Sequence, residues 1–495
     1  MKDKLIRIDK KDNVAVALSD INAGEELKLN KDEVHAAENI NKNFKVALKD
    51  INKGETIIKY GFPIGIATQN IKAGCVVHSH NMKSMLKSVK EYDIKLKHAK
   101  SNMDNYNGKR TFKGYLRSNG EVGIRNEIFV LPTVGCVNEV CQAIAQKAII
   151  ETGKQDVFVF KHPYGCSQLG DDMVNTQKIL SGLAHHPNAG GVLIVSLGCE
   201  NNNLNEFKKV LGAYDDTRVR FLLAQDSGDE ITQGVQIIKE LVDICYKDVR
   251  QDADISKLNI GLKCGGSDAL SGITANPLVG KVCDVLSSLG AGVIMTEVPE
   301  MFGAEHILME RSKNDYVKND IINMVNNFKD YFISHGESVE KNPSPGNKEG
   351  GITTLEEKSL GCIQKGGKAT INAVLPYGDV LSQKGLNLLE GPGNDIVAQT
   401  ALTVSGAHII LFTTGRGTPL GAPVPTIKIS TNSQLFNAKP NWIDFDAGRV
   451  LNEESFETLC LELIDMILMT SEGQNTKNEI NGYREIAIWK NGVTL

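Results

Sequence analysis

The sequence predicts an α/β protein in which a small all-β N-terminal module precedes a large body built on parallel sheet. Three features support this: a repeated turn pattern in the first 81 residues, alternating strand-like and helix-like segments beyond residue 113, and glycine-flanked reactive side chains where those strands end.

The repeated pattern reads Ala, two residues, Asp or Asn, Ile, two residues, Gly. It runs from Ala17 to Gly24, Ala47 to Gly54 and Ala67 to Gly74. Each copy sets turn-forming residues around one Ile, between stretches rich in Val, Ile and Leu, so short strands joined by tight turns follow. The expected module is 1–81, ending in Val77-His78-Ser79-His80-Asn81. Residues 82–112 are Lys-rich and weakly periodic, as a linker with one solvated helix would be.

Beyond the linker, IFVLPTV, DVFVFKH, GGVLIVSL, VRFLLAQ and NIGLKC are strand-like, each followed by a helix-like stretch, and the last of these units continues to AGVIMTEV. That alternation is the signature of a parallel sheet covered by helices. The Gly/Pro/Ser-rich stretch NPSPGNKEGGITT suggests a boundary, dividing the body into α/β domains at 113–340 and 341–495. KATINAVL, HIILFTT and PTIKIST supply further strands.

A chain of 495 residues exceeds one ordinary core. With 41% hydrophobic and 23% charged residues it has the balance of a globular enzyme. The net charge of -5 argues against a nucleic-acid partner. No apolar run approaches the ~20 residues of a membrane span. Ten cysteines without a CxxC pair suit reduced thiols in the cytoplasm. A small-molecule substrate is the expected partner, with a homo-oligomer possible.

Ligands of a parallel sheet gather outside the carboxyl ends of its strands. Cys136, His162, Cys166, Cys199, Glu200, Cys264, Glu297 and Glu300 all fall there, several beside glycines that let backbone N–H groups approach an anion. A buried apolar role is the ordinary fate of any one such Cys. Converging thiolates and a His would suit iron or a late transition metal. His78 and His80, two apart on an expected strand, would share a face. Arg416, between glycines in TTGRGTP, suits bidentate binding of a carboxylate, and Asn347 and Lys348 sit on a compact turn. GxGxxG, GxSxG and HExxH are absent, and GCIQKGGKA lacks the ending of a phosphate loop. Metal-assisted lyase or hydrolase chemistry stays ahead.

NEIFVLPTVGCVN, HPYGCSQLGDD, SLGCENN, CGGSDALSGITANP, TEVPEMFGAEHILMER, NPSPGNKEGGITTLEEKSLGC, TTGRGTP, NWIDFDAG and the terminal NGVTL carry a stronger signal. Over essentially its whole length the chain resembles the altronate/galactarate dehydratase family, whose N-terminal module is of the SAF (β-clip) kind. The ending VHSHN favours the altronate branch. The resemblance implies a hydro-lyase of hexuronate catabolism that converts D-altronate to 2-keto-3-deoxy-D-gluconate, using Fe2+ with Mn2+ as a possible substitute. Galactarate or a related sugar acid is the alternative substrate.

On this basis His80, His162 and Lys348 are the expected catalytic groups, and Arg125, Asp268, Asn276, Asn347 and Arg416 the expected substrate contacts. Metal binding is expected from a subset of His78, His80, Cys166, Cys199 and Cys264. Two alternatives stand beside this: an iron–sulfur hydro-lyase with its cluster on Cys166, Cys199 and Cys264, and a non-catalytic sugar-acid sensor.

Overall fold

The computed structural model describes residues 4–29, 32–86, 92–97 and 106–495. The N-terminal module is all-β. One antiparallel sheet takes Leu5–Ile6, Val14–Ala17, Lys45–Ala47 and Val76–Val77, and another takes Thr56–Lys59, Phe62–Ala67 and Met82–Lys83. Met82–Lys83 carries the module past its expected limit at residue 81.

The repeated turn has a fourth copy, from Ala36 to Asn43. Asn43 holds the left-handed backbone (φ 73°) that Gly24, Gly54 and Gly74 hold in the other three. The buried isoleucines pair antiparallel across copies, Ile21 with Ile40 and Ile51 with Ile71. The helix expected within 82–112 falls mostly outside the described residues, and 92–97 form none.

The body holds two parallel sheets. The smaller has the order Val157–Val159, Glu127–Pro132, Ala189–Ser196, Val219–Leu223. The larger has seven strands in the order Ile371–Leu375, Gly385–Leu389, Gly292–Met295, Asn259–Cys264, Ile409–Thr414, Thr426–Ser430, Phe445–Asp446. Central strands such as EIFVLP and IILFTT are buried along their whole length, which explains their near-continuous apolar sequence.

The division expected near residue 340 runs through the larger sheet, which draws strands from both sides of it. A different seam is visible. Thr111–Leu116, entering the four-stranded unit, pairs antiparallel with Gln251–Asp254, leaving it. The chain end then returns along that unit. Arg484 binds Glu127 at the start of a strand, Asn491 and Gly492 donate to Asp172, and Leu495 donates to the Ser167 carbonyl.

Candidate active site

The carboxyl ends of the seven-stranded sheet carry two layers of polar side chains. The upper layer is a rim formed by the loop 265–271, the short helix Pro345–Glu349 and the turn after the strand Ile409–Thr414, with one turn of the N-terminal module. Asn347 donates to the Ser267 carbonyl at 2.8 Å, and Arg416 donates to the Gly346 carbonyl at 2.9 Å. Gly266 O accepts from the backbone N–H groups of Gly415 and Arg416. A Cβ on Gly415 would meet the Asp268 carboxyl at 2.2 Å, so only glycine lets the two loops approach this closely.

His78 Nε2 lies 3.0 Å from the Lys348 carbonyl, and its ring stacks on Phe44. The rim therefore joins Asp268, Asn347, Lys348 and Arg416 to the turn that holds His78 and the exposed His80. His78 and His80 lie on a turn after the strand Val76–Val77, not within a strand, so the expected shared face does not apply. Burial pushes the Asp268 carboxyl above its ordinary pKa, although Thr431, Ser271 and Leu270 donate to it.

Beneath the rim is a buried ionic cluster. Lys263, on the strand Asn259–Cys264, binds Glu297, Asp395 at 2.8 Å and the Cys264 carbonyl at 3.1 Å. Lys365 binds Glu297 at 2.5 Å and Cys362 Sγ at 3.0 Å, and Lys358 binds Glu300 at 2.8 Å. Three ammonium groups thus face three carboxylates, all but Asp395 shielded from water. Although burial opposes it, these carboxylates keep Lys263 well above its usual pKa, and Glu300 does the same for Lys358. Burial drives the Cys362 thiol well up. Glu297 adopts a left-handed backbone (φ 76°), rare outside glycine, which marks a conformation imposed by its surroundings.

Cys264 and Asn276 belong to this layer. Cys264 Sγ lies 2.9 Å from Ser267 Oγ, and Asn276 bridges Thr413 and the Gly361 carbonyl. A small cavity between the layers is lined by Tyr60, Ser267, Asp268, Asn276, Lys358 and Cys362.

Other expected site residues lie elsewhere. His162 is buried with both ring nitrogens occupied: Nδ1 accepts from Tyr164 N–H and Nε2 donates to the Pro132 carbonyl. It is a structural histidine with no nitrogen left for proton transfer. Arg125 is buried on Glu479 and on the carbonyls of Ile124, Thr470 and Gln474, clamping the chain end, so it has no donor for substrate. Cys166 and Cys199 are exposed on the four-stranded sheet, and Cys264 is buried in the other. The five expected metal ligands therefore do not share one site.

Lys263, Lys358, Cys362, Lys365 and Asp395 were not foreseen. A Lys inside the otherwise apolar strand NIGLKC was the one readable signal, because a charge there needs a buried partner.

Family models match at residues 3–85 (altronate/galactarate dehydratase SAF domain), 114–245 (D-galactarate dehydratase/altronate hydrolase, second domain) and 255–494 (D-galactarate/altronate dehydratase, C-terminal). The altronate dehydratase of Bacillus subtilis (strain 168) is 48% identical, with 99% of each chain covered. The chain belongs to the galactarate/altronate dehydratase family. Within this dehydratase family, the altronate dehydratase of Escherichia coli (strain K12) is 47% identical over 99% of both chains. The galactarate dehydratase (L-threo-forming) of the same organism is 31% identical, covering 95% of this chain and 93% of its own. The dehydratase models at 114–245 and 255–494 each enclose one of the two parallel sheets.

Proposed function

We propose that the chain is a hydro-lyase that converts D-altronate to 2-keto-3-deoxy-D-gluconate in hexuronate catabolism. The observation that carries this is identity of 47–48% over nearly the full length to two altronate dehydratases, against 31% to a galactarate dehydratase. The rim supports it chemically. Arg416 and Lys348 offer exposed cationic donors for a sugar carboxylate.

Dehydration removes the proton at C2 and breaks the C3–O bond; the hydroxyl leaves as water, and the enol tautomerises to the 2-keto acid. Arg416 and Lys348 bind the carboxylate and stabilise the negative charge that builds on it as C2 is deprotonated. His80 serves as the proton-transfer group at C2 or at the leaving hydroxyl. Asp268, its pKa raised by burial, and Asn347 bind sugar hydroxyls. The buried lysine–carboxylate layer fixes the loops that carry these groups.

The resemblance implies Fe2+ or Mn2+, but the deep donor set does not fit a divalent ion. Among the described residues, three potential ligand atoms come within 4.8 Å of one another at Glu297, Glu300 and Cys362. Glu297 is already held by Lys263, Lys365 and Cys264 N–H, and Glu300 Oε1 by Lys358. Of this set only Glu300 Oε2 is unpartnered; Cys362 Sγ takes Lys365 and is kept protonated by burial, and three ammonium groups nearby repel a cation.

A cytoplasmic location is part of the proposal. It is supported by ten free cysteines and by relatives named for sugar-acid metabolism. Among the described residues no helix is long and apolar enough to cross a membrane. Release of keto acid from D-altronate and D-galactarate, assayed anaerobically with and without added Fe2+, tests the activity. Altronate should give the higher kcat/KM. No keto acid from altronate under either condition, or a preference for galactarate, overturns the proposal.

A further inference from the structure

Arg416 meets one short element of the rim twice. Its Nη1 donates to the Gly346 carbonyl at 2.9 Å and lies 3.3 Å from Glu349 Oε2, and both acceptors belong to the helix Pro345–Glu349. That helix is itself fixed. Ser344 and Asn347 form a reciprocal cap at its start, Asn347 donates to the Ser267 carbonyl, and the Lys348 carbonyl faces His78 Nε2. With Nη1 occupied, Arg416 Nε and Nη2 have no partner among the described residues. These two nitrogens form the edge of a guanidinium that takes a carboxylate by two parallel hydrogen bonds.

The pair with Glu349 does little for the fold. Its two side chains are 47% and 69% exposed, and ion pairs in that setting are weakened by water and salt. What the pair changes is the charge that a ligand meets. The exposed lysine and arginine of the rim are Lys348 and Arg416. Lys45, at the adjoining Gly351 carbonyl, and Lys358, at Asn347, are buried and already matched by Glu357 and Glu300.

Glu349 therefore offsets one of the two exposed cations, and a single substrate carboxylate brings the rim to balance. A second carboxylate on the same sugar chain would leave an excess of negative charge, to which Asp268 can only add. Such an excess disfavours the ligand that brings it.

We propose that Glu349 is a specificity-determining residue, which favours sugar acids with one carboxylate over those with two. The inference rests on the altronate assignment above. It names the feature that separates altronate from galactarate, which carries a carboxylate at each end. Glu349 acts by repelling the wrong ligand rather than by adding a contact to the right one.

The test compares KM for D-altronate with the inhibition constant of galactarate against altronate turnover, both measured on the full chain. Their ratio cancels any effect of Glu349 on the carboxylate that the two ligands share. Glu349→Gln should shift this ratio toward galactarate by about tenfold, whereas Glu349→Asp, which keeps the charge, should hold it within about twofold. Salt supplies a second readout. Between about 0.1 and 1 M ionic strength the wild-type ratio should move toward galactarate as exposed charges are screened, and that of Glu349→Gln should move much less. A ratio unchanged in Glu349→Gln, or shifted equally in Glu349→Asp, overturns the inference and leaves keto-acid release from altronate standing. Absence of that release in the wild type overturns the altronate assignment and this inference with it.

Discussion

Lys263 and Glu297 form an ion pair between the ends of two neighbouring parallel strands, and neither side chain reaches solvent. Glu297 also receives Lys365, so one carboxylate compensates two buried ammonium groups. Removing one partner of a buried pair strands the other in a medium that disfavours charge. Glu297→Gln should therefore destabilise the protein by roughly 3–5 kcal/mol. Urea denaturation reads this directly, and a loss under 1 kcal/mol would show that water reaches the cluster.

Lys45 and Lys59 anchor the N-terminal module on a single carboxylate of the body, Glu357, at 2.9 and 2.8 Å. The two lysines are not equivalent. Burial pushes Lys45 down to about 8, while Glu357 and Tyr60 hold Lys59 above its usual range against the same burial. Between pH 8 and the unfolded pKa near ~10.4 the unfolded chain binds the extra proton at Lys45, so stability rises with pH there. The slope should approach about 1.4 kcal/mol per pH unit. Lys45→Met should abolish that rise and cost less stability at pH 7 than Lys59→Met. Denaturation midpoints at pH 7, 8, 9 and 10 decide it.

Arg125 and Arg416 separate structural from substrate-binding guanidinium groups. Arg125→Ala removes the partner of buried Glu479 and of three carbonyls, and should lower stability by about 3 kcal/mol with KM unchanged. Arg416 is 47% exposed, so its ion pair with Glu349 adds little to stability. Arg416→Ala should leave the melting temperature within error and raise KM for altronate by about tenfold or more. Equal behaviour of the two variants in both measurements would remove Arg416 from the site.

Much of this architecture was legible because periodicity reports burial. The apolar runs before Cys136, Cys199 and Cys264 are strands, and their ends do carry the polar chemistry. What the sequence hid is which ends share an edge. Cys166 and Cys264 occupy equivalent positions in linear order but lie on different sheets, and strand order depends on long-range pairing that no local pattern encodes. Lys358 and Lys365 were equally hidden, since a lysine on a helix surface and one aimed at Glu300 or Glu297 look alike until the partner strand is placed.

His80 and His162 provide the sharpest test, because one is exposed at the rim and the other is locked by backbone. His80→Asn should lower kcat by about 10²–10⁴-fold without loss of stability. His162→Gln should instead lower stability, since Pro132 and Tyr164 lose their partner. Burial holds His162 below its ordinary pKa, as it does His186, down to about 4. Histidines kept neutral in the fold give full stability above the unfolded value near ~6.5, and that stability falls as pH drops toward the folded value. His162→Gln should therefore flatten the loss of stability expected of the wild type in thermal melts as pH falls below about 6.5. Wild-type turnover in His80→Asn would dismiss it as the proton-transfer group and reduce the role of the N-terminal turn to packing against Lys348.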